Sequence, residues 1–337
     1  MVAISAVSRL ERHMNSKYAA KHAYRNERIQ KAVLPGRDIT LAYVMHESEA
    51  SATGNNAKGD EEETRVVMIM GYSYRKEEWA PTVDALLTKW EESGAKSKLK
   101  LLTFDNRGCG DSDAPWGRYT TQLLAADTLA LMDHVGWKSA HIVGTSMGGM
   151  ISQELVLRSP ERVQSLSLVV SSRGRFCPEY SALGEIIRTT FSTDPDVLAN
   201  KVTSFLYPAA FLDTPIGDNS GRTNRSVVNT YHRTGSALRG PPSLSGSLGQ
   251  TPALIFHYVD DDRLRQIRDH GYPILLVGAE EDIAITHSHF LHFKKILTGD
   301  HVHSVVYSDA GHAVFLQYID EVADDILGTI RRVKTAV

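Results

Sequence analysis

Residues 143–149 (VGTSMGG) constrain the fold of this chain more than any other segment. They follow a strand-like run at 139–143 (SAHIV) and open a helix-like one at 150–157 (MISQELVL). A chain that turns this sharply from strand to helix leaves little room at the bend. A serine held there takes a strained backbone, and the residues beside it are glycines because side chains would strike adjacent backbone. Such a turn holds the Ser146 hydroxyl clear of the sheet, at the positive end of the following helix.

Around this turn, strand and helix signals alternate. Strand-like runs fall at 38–46 (DITLAYVMH), 65–70, 98–104, 139–143, 163–171, 272–277 and 301–307. Helical stretches fall at 76–92, 120–135, 286–297 and 313–333. Strands joined by helices pair in parallel and carry helices on both faces, so the predicted fold is α/β, a doubly wound and mostly parallel sheet. Residues 47–64 contain no large apolar side chain and are read as a flexible loop between two strands.

One stretch breaks the alternation. Residues 173–269 separate two sheet strands where a short connection would suffice. They hold a helix-like run at 182–191, a Gly/Ser/Pro-rich section at 215–252 and scattered Phe and Tyr. The reading is an inserted, largely helical cap over the carboxyl ends of the strands, most of its aromatics packing the cap itself. The predicted partition is an N-terminal extension at 1–32, a core at 33–172 and 270–337, and the cap at 173–269.

Composition excludes several classes. An apolar fraction of 42% and a charged fraction of 23% over 337 residues are those of an ordinary soluble domain. A formal charge of −3 gives no electrostatic case for nucleic acid or anionic membrane. Two cysteines, Cys109 and Cys177, make no disulfide framework, which points to a reducing, cytoplasmic compartment. No apolar run approaches the roughly 18 residues of a membrane span. Residues 1–31 are basic, with Glu11 and Glu27 their only acids, so a mitochondrial presequence is the alternative to a helix packed on the domain or a ragged extension.

Gly144-Thr145-Ser146-Met147-Gly148 is also the G-x-S-x-G pattern of a nucleophile elbow. An alkyl hydroxyl is a weak nucleophile at neutral pH, so Ser146 needs a base, and the base an orienting acid. His312 follows the last strand in a turn, at the same sheet edge as the elbow, and is the base predicted. His301 and His303 lie in or beside that strand, and His287, His289 and His292 lack the spacing of a zinc site. The acid comes from Gly278-Ala279-Glu280-Glu281-Asp282, after strand 272–277. Asp282 is favoured and Glu281 is its rival, because the loop offers three adjacent carboxylates. Backbone donors for an oxyanion are assigned by position to the Met147 amide and to the Tyr72 amide, in the loop after strand 65–70. No metal and no organic cofactor is implied.

With these residues in hand, the chain resembles the α/β-hydrolase superfamily, in its capped serine esterase and C–C hydrolase branch, over about residues 33–333. The order Ser146, Asp282, His312 is that family's nucleophile–acid–base order. Residues 105–112 (DNRGCGDS) look like its D-x-R-G-x-G-x-S loop, and Gly71 with Trp79 is similar to its HG…W segment. The resemblance implies a structural role for Arg107. Two positions depart from the pattern: Met70 stands where a histidine is usual, and Thr286 where a proline often follows the acid.

The expected function is a serine hydrolase acting on a small-molecule carboxylic ester, with a lipid-like ester as one option, through an acyl-enzyme. Its kcat/KM is expected to rise with pH through roughly 6.5 as imidazole becomes neutral. The alternatives are C–C bond hydrolysis by the same triad, with a lyase or perhydrolase side activity, and a non-catalytic ligand-binding member of the fold. C–C hydrolysis requires a cation for a substrate carboxylate, and Arg173 and Arg175 are the candidates.

Overall fold

The computed structural model describes residues 6–16, 24–49, 63–174, 194–216, 220–239 and 243–333. Among these, eight strands form one sheet: β1 (Gln30–Leu34), β2 (Ile39–Glu47), β3 (Glu63–Ile69), β4 (Lys98–Phe104), β5 (Ala140–Thr145), β6 (Val163–Val169), β7 (Ile274–Ala279) and β8 (Val302–Tyr307). Their order is β1-β2-β4-β3-β5-β6-β7-β8. The β1–β2 and β2–β4 pairs are antiparallel and all later pairs are parallel. The fold is therefore the doubly wound, mostly parallel α/β sheet expected.

Twelve helices are described: α1 (Ala6–Met14), α2 (Ala80–Glu92), α3 (Thr121–His134), α4 (Met147–Arg158), α5 (Pro195–Leu206), α6 (Ala209–Leu212), α7 (Asn224–Arg239), α8 (Leu244–Ile255), α9 (Asp261–Asp269), α10 (His287–Ile296), α11 (Val314–Gln317) and α12 (Ile319–Arg331). Strands buried on both faces supply alternate side chains to two cores. Val67 and Ile69 of β3 and Leu102 and Phe104 of β4 pack under α3, α4 and α10 with Leu124, Ile151 and Phe293. Val66, Met68, Leu99 and Leu101 point the other way, against Val83 and Leu86 of α2 and Val322 and Ile326 of α12.

The edge strand β1 was not signalled in the sequence. Its burial alternates only at Ala32 and Leu34, and it falls partly within the stretch read as an extension. Before it, α1 lies on the α2–α12 face: Leu10 and His13 are buried, His13 bonds the Asp84 carboxylate, and Arg12 meets Asp320 at 2.8 Å. Of the predicted 47–64 loop, residues 50–62 lie outside the described set, and Glu47 and Glu63 belong to the flanking strands.

Between β6 and β7 lie α5 to α9. The Gly/Ser/Pro-rich section is mostly helical there, as α7 and α8. The glycines of α8 serve close packing rather than bending. A Cβ on Gly246 would overlap the Gly108 carbonyl, and one on Gly249 would enter the Tyr119 ring. The helix-like run at 182–191 lies outside the described residues.

Candidate active site

The turn after β5 is as tight as its sequence requires. Ser146 has φ 54° and ψ −123°, a region that non-glycine residues rarely occupy. Close backbone approach holds it there. A Cβ on Gly148 would overlap the Ile69 carbonyl, one on Gly144 the Gly148 carbonyl and the Ser152 hydroxyl, and one on Gly149 the Ser171 side chain. Hydrogen bonds lock both peptide ends: Ser146 N–H donates to Val169 O (2.9 Å), and the Ser171 hydroxyl donates to Ser146 O (2.9 Å). The helix begins at Met147, three residues before its apolar periodicity announces it.

The three side chains come together from three different strand ends. His312 Nε2 lies 3.0 Å from Ser146 Oγ, and His312 Nδ1 lies 2.7 Å from Asp282 Oδ2. An ionised carboxylate only accepts, so Nδ1 carries the proton of the neutral ring and Nε2 offers its lone pair to the serine hydroxyl. Asp282 is buried, and its second oxygen, Oδ1, accepts from the Ala284 and Ile285 amides at 2.8 and 2.9 Å. These local bonds fix the carboxylate plane. Glu280 and Glu281 are exposed instead, and their amides tie the acid loop to the histidine turn through Tyr307 O and Ala310 O. Of the three adjacent carboxylates, Asp282 is thus the one that reaches His312.

The two amides assigned to an oxyanion belong to residues beside Ser146. Met147 is the first residue of α4, where a helix leaves its amides without internal acceptors. Gly71 abuts the elbow so closely that a Cβ on it would lie 3.1 Å from Ser146 Cβ, and Tyr72 is the next residue. Among the described residues, neither the Met147 nor the Tyr72 amide donates to a protein acceptor.

The loop bearing Tyr72 is clamped at both ends by residues of the 105–112 motif. Asn106 Nδ2 donates to Met70 O (2.9 Å), while Asp105 accepts from the Lys76 amide (2.8 Å) and ammonium (2.7 Å). Burial pulls the Lys76 ammonium's pKa down, but Asp105 and Glu77 outweigh it and leave a net rise. Arg107 makes a bidentate pair with Asp127 (2.8 and 2.9 Å) and packs toward Tyr119, the bracing role that the resemblance implies.

Other candidates resolve differently. Arg173 pairs with Asp261, which also takes His292 Nε2 at 2.8 Å, and its guanidinium lies over the Tyr258 ring. Arg175 lies outside the described residues. His289 Nδ1 sits 2.9 Å from the Ser172 hydroxyl; burial first, then Arg173, lowers its pKa against the opposing pull of Asp282. Among the described residues no group of three or more His, Cys, Asp or Glu could hold a metal ion. Nor is any helix among them long and apolar enough to cross a membrane.

A strained serine after a buried strand, backed by histidine and aspartate from the last two strand ends, is the architecture of one family, and its model, the alpha/beta hydrolase fold, matches residues 64–317. The chain belongs to that family. BpoC of Mycobacterium tuberculosis, named provisionally as a non-heme bromoperoxidase, is 28% identical over 245 residues, 69% of this chain and 79% of that protein. RutD of Caulobacter vibrioides, named provisionally as a carbamate hydrolase, is 31% identical over 210 residues, 61% of this chain and 68% of that protein. Among solved structures, a hydrolase from Pseudomonas aeruginosa PA01 matches with a TM-score of 0.68 at 20% identity, covering 91% of this chain and 99% of that one. An enol-lactonase from Burkholderia xenovorans LB400 matches with a TM-score of 0.67 at 18% identity, covering 90% of this chain and all (100%) of that one. At these identities the solved structures show the shared fold alone.

Proposed function

We propose that this member of the family is a serine hydrolase that cleaves a small carboxylic ester through an acyl-enzyme. The observation that carries the reading is His312 standing between the Ser146 hydroxyl and the buried Asp282 carboxylate. Ser146 Oγ attacks the acyl carbon while His312 Nε2 takes its proton, and the Met147 and Tyr72 amides receive the developing oxyanion. His312 then protonates the leaving alkoxide. Water enters, loses a proton to the same Nε2, and releases the acid, returning Ser146 to its starting state. Asp282 holds the ring in the tautomer that accepts at Nε2 and stabilises the imidazolium formed twice per cycle. No step calls on a cofactor. The relative named for carbamate hydrolysis fits acyl transfer of this kind.

The residues at 173–269 act in this reading as a cap over the site, joined to the histidine turn where Ala313 N–H donates to Leu206 O (3.1 Å). Carbon–carbon hydrolysis fits less well. It needs an uncompensated cation for a substrate carboxylate, and of the two candidates the charge of Arg173 is met by Asp261, while Arg175 lies outside the described residues.

The test is turnover of p-nitrophenyl esters from acetate to octanoate by wild type and Ser146→Ala, beside a vinylogous diketone acid. The expected result is saturable ester turnover that drops to background in the variant, with the chain-length optimum sizing the pocket. Faster cleavage of the diketone acid than of every ester would replace the ester reading with the carbon–carbon one.

A further inference from the structure

We infer that Gln250, on α8 between β6 and β7, is a positioning residue for the proposed reaction, acting through the turn that carries the Tyr72 amide. The inference rests on the serine hydrolase reading and adds a residue to it. Residues 71–74 form a turn closed by Tyr74 N–H to Gly71 O at 3.4 Å, and its third residue, Ser73, has φ 57°. That turn position with positive φ ordinarily takes glycine or asparagine, so a serine there is strained and reverts unless something holds it.

What holds it is 177 residues away in sequence. The Gln250 side chain is buried; its Oε1 accepts from the Ser73 amide at 2.9 Å, and its Nε2 donates to Arg107 O at 2.8 Å. One side-chain amide therefore joins the Tyr72 turn to the arginine loop with both of its ends used. The next residue repeats the theme, with Thr251 Oγ1 3.0 Å from the Tyr72 hydroxyl. The helix can reach because Gly246 and Gly249 let its backbone lie against Gly108 and Tyr119. Two consecutive α8 residues thus grip two consecutive residues of the turn that faces Ser146. A helix of the inserted region sets the geometry of a core donor in addition to any part in covering substrate.

Loss of this grip loosens the donor during the step in which oxyanion charge develops, so it weakens transition-state binding more than substrate binding. The experiment compares wild type with Gln250→Met, which keeps side-chain volume and removes both hydrogen bonds, and with Gln250→Met plus Ser73→Gly. Thr251→Val, which removes a single hydroxyl, serves as a milder probe. The readouts are kcat and KM on p-nitrophenyl butyrate and the Ki of an aliphatic trifluoromethyl ketone, whose serine adduct bears an oxyanion. Expected for Gln250→Met is a kcat lower by about tenfold with KM nearly unchanged, and a Ki raised in step with the fall in kcat/KM. Glycine adopts positive φ without strain, so Ser73→Gly restores part of the lost kcat. A Gln250→Met enzyme with kcat within twofold of wild type overturns the inference. So does a loss of kcat that Ser73→Gly leaves untouched, since that traces to helix packing and not to the turn. Ser146→Ala run in parallel keeps the two levels apart: ester turnover that survives it defeats the hydrolase reading itself.

Discussion

Ser146 and Ser73 sit at neighbouring turns and both carry positive φ, 54° and 57°, but they are held in opposite ways. The room at the elbow is set by the glycines next to it in sequence, and Val169 and Ser171 then lock its peptide ends. Gly144, Gly148 and Gly149 admit backbone so close that the turn has no room to relax. The Tyr72 turn has no such local enforcement after Gly71, and depends on a glutamine from a helix far along the chain. A nucleophile must not move, whereas a donor held by a remote helix can respond to what that helix does. One half of the proposed site is written locally and the other is assembled by the tertiary fold.

The largest expected effect sharpens the first half. Asp282→Asn keeps the shape of the acid but donates or accepts wrongly at His312 Nδ1, so kcat should fall by about 10⁴-fold with folding intact. Single-turnover kinetics beside a thermal melt measure both. Next, Gly148→Ala should break the elbow. A methyl there overlaps the Ile69 carbonyl, α4 must move, and a displacement of about 1 Å at the reacting atoms costs on the order of 10²-fold in kcat/KM. Unchanged activity in that variant would mean that the tight packing is not what holds Ser146.

Acid tests both halves together and gives a smaller effect. His141, on the strand leading into the elbow, is buried beside Ser165 and its pKa is lowered by burial to about 4. His257, directly after α8, is buried beside Thr121, and burial, reinforced by Arg263, lowers its pKa to about 3. Both are neutral when folded, and the unfolded chain takes up their protons below about 6.5. Stability from each is therefore complete above pH 6.5 and is lost progressively as pH falls toward 4 and 3, by about 1 kcal/mol per histidine at pH 5.5. Melting temperature should drop between pH 7 and 5.5. Replacing either histidine with glutamine should flatten part of that slope, and an unaltered slope in both variants would refute the assignment.

The smallest effect concerns Ser73 alone. Ser73→Gly relieves strain at the held turn, so with Gln250 present it should leave kcat within about twofold and cost no stability. The same replacement at Ser146 is not available, because the strained residue there is itself the nucleophile.

What could be read in the sequence follows the same division. The β3 and β7 strands carry unbroken apolar runs, β4 and β5 are apolar at most positions, and the elbow glycines lie within three positions of Ser146, so these were legible. The acid remained open between Asp282 and Glu281 because adjacent carboxylates look alike until the Ala284 and Ile285 amides capture one of them. Strand β1 was missed because an edge strand buries only alternate residues, and its antiparallel partner supplies the rest of its definition. The helix α8 was obscured by its own composition. Its glycines read as turn formers, yet they are there for contact with Gly108 and Tyr119, partners more than a hundred residues away. Gln250 gave no signal at all, since a buried amide that bridges two distant loops has no local pattern.

The central claim is that Ser146 is a nucleophile activated by His312. The most direct measurement is fluorophosphonate labelling of wild type, Ser146→Ala and His312→Ala, each shown to be folded by its thermal melt. The account predicts strong labelling of wild type, none in Ser146→Ala and almost none in His312→Ala. Folded wild type that takes no label, or label that persists without Ser146, would contradict it.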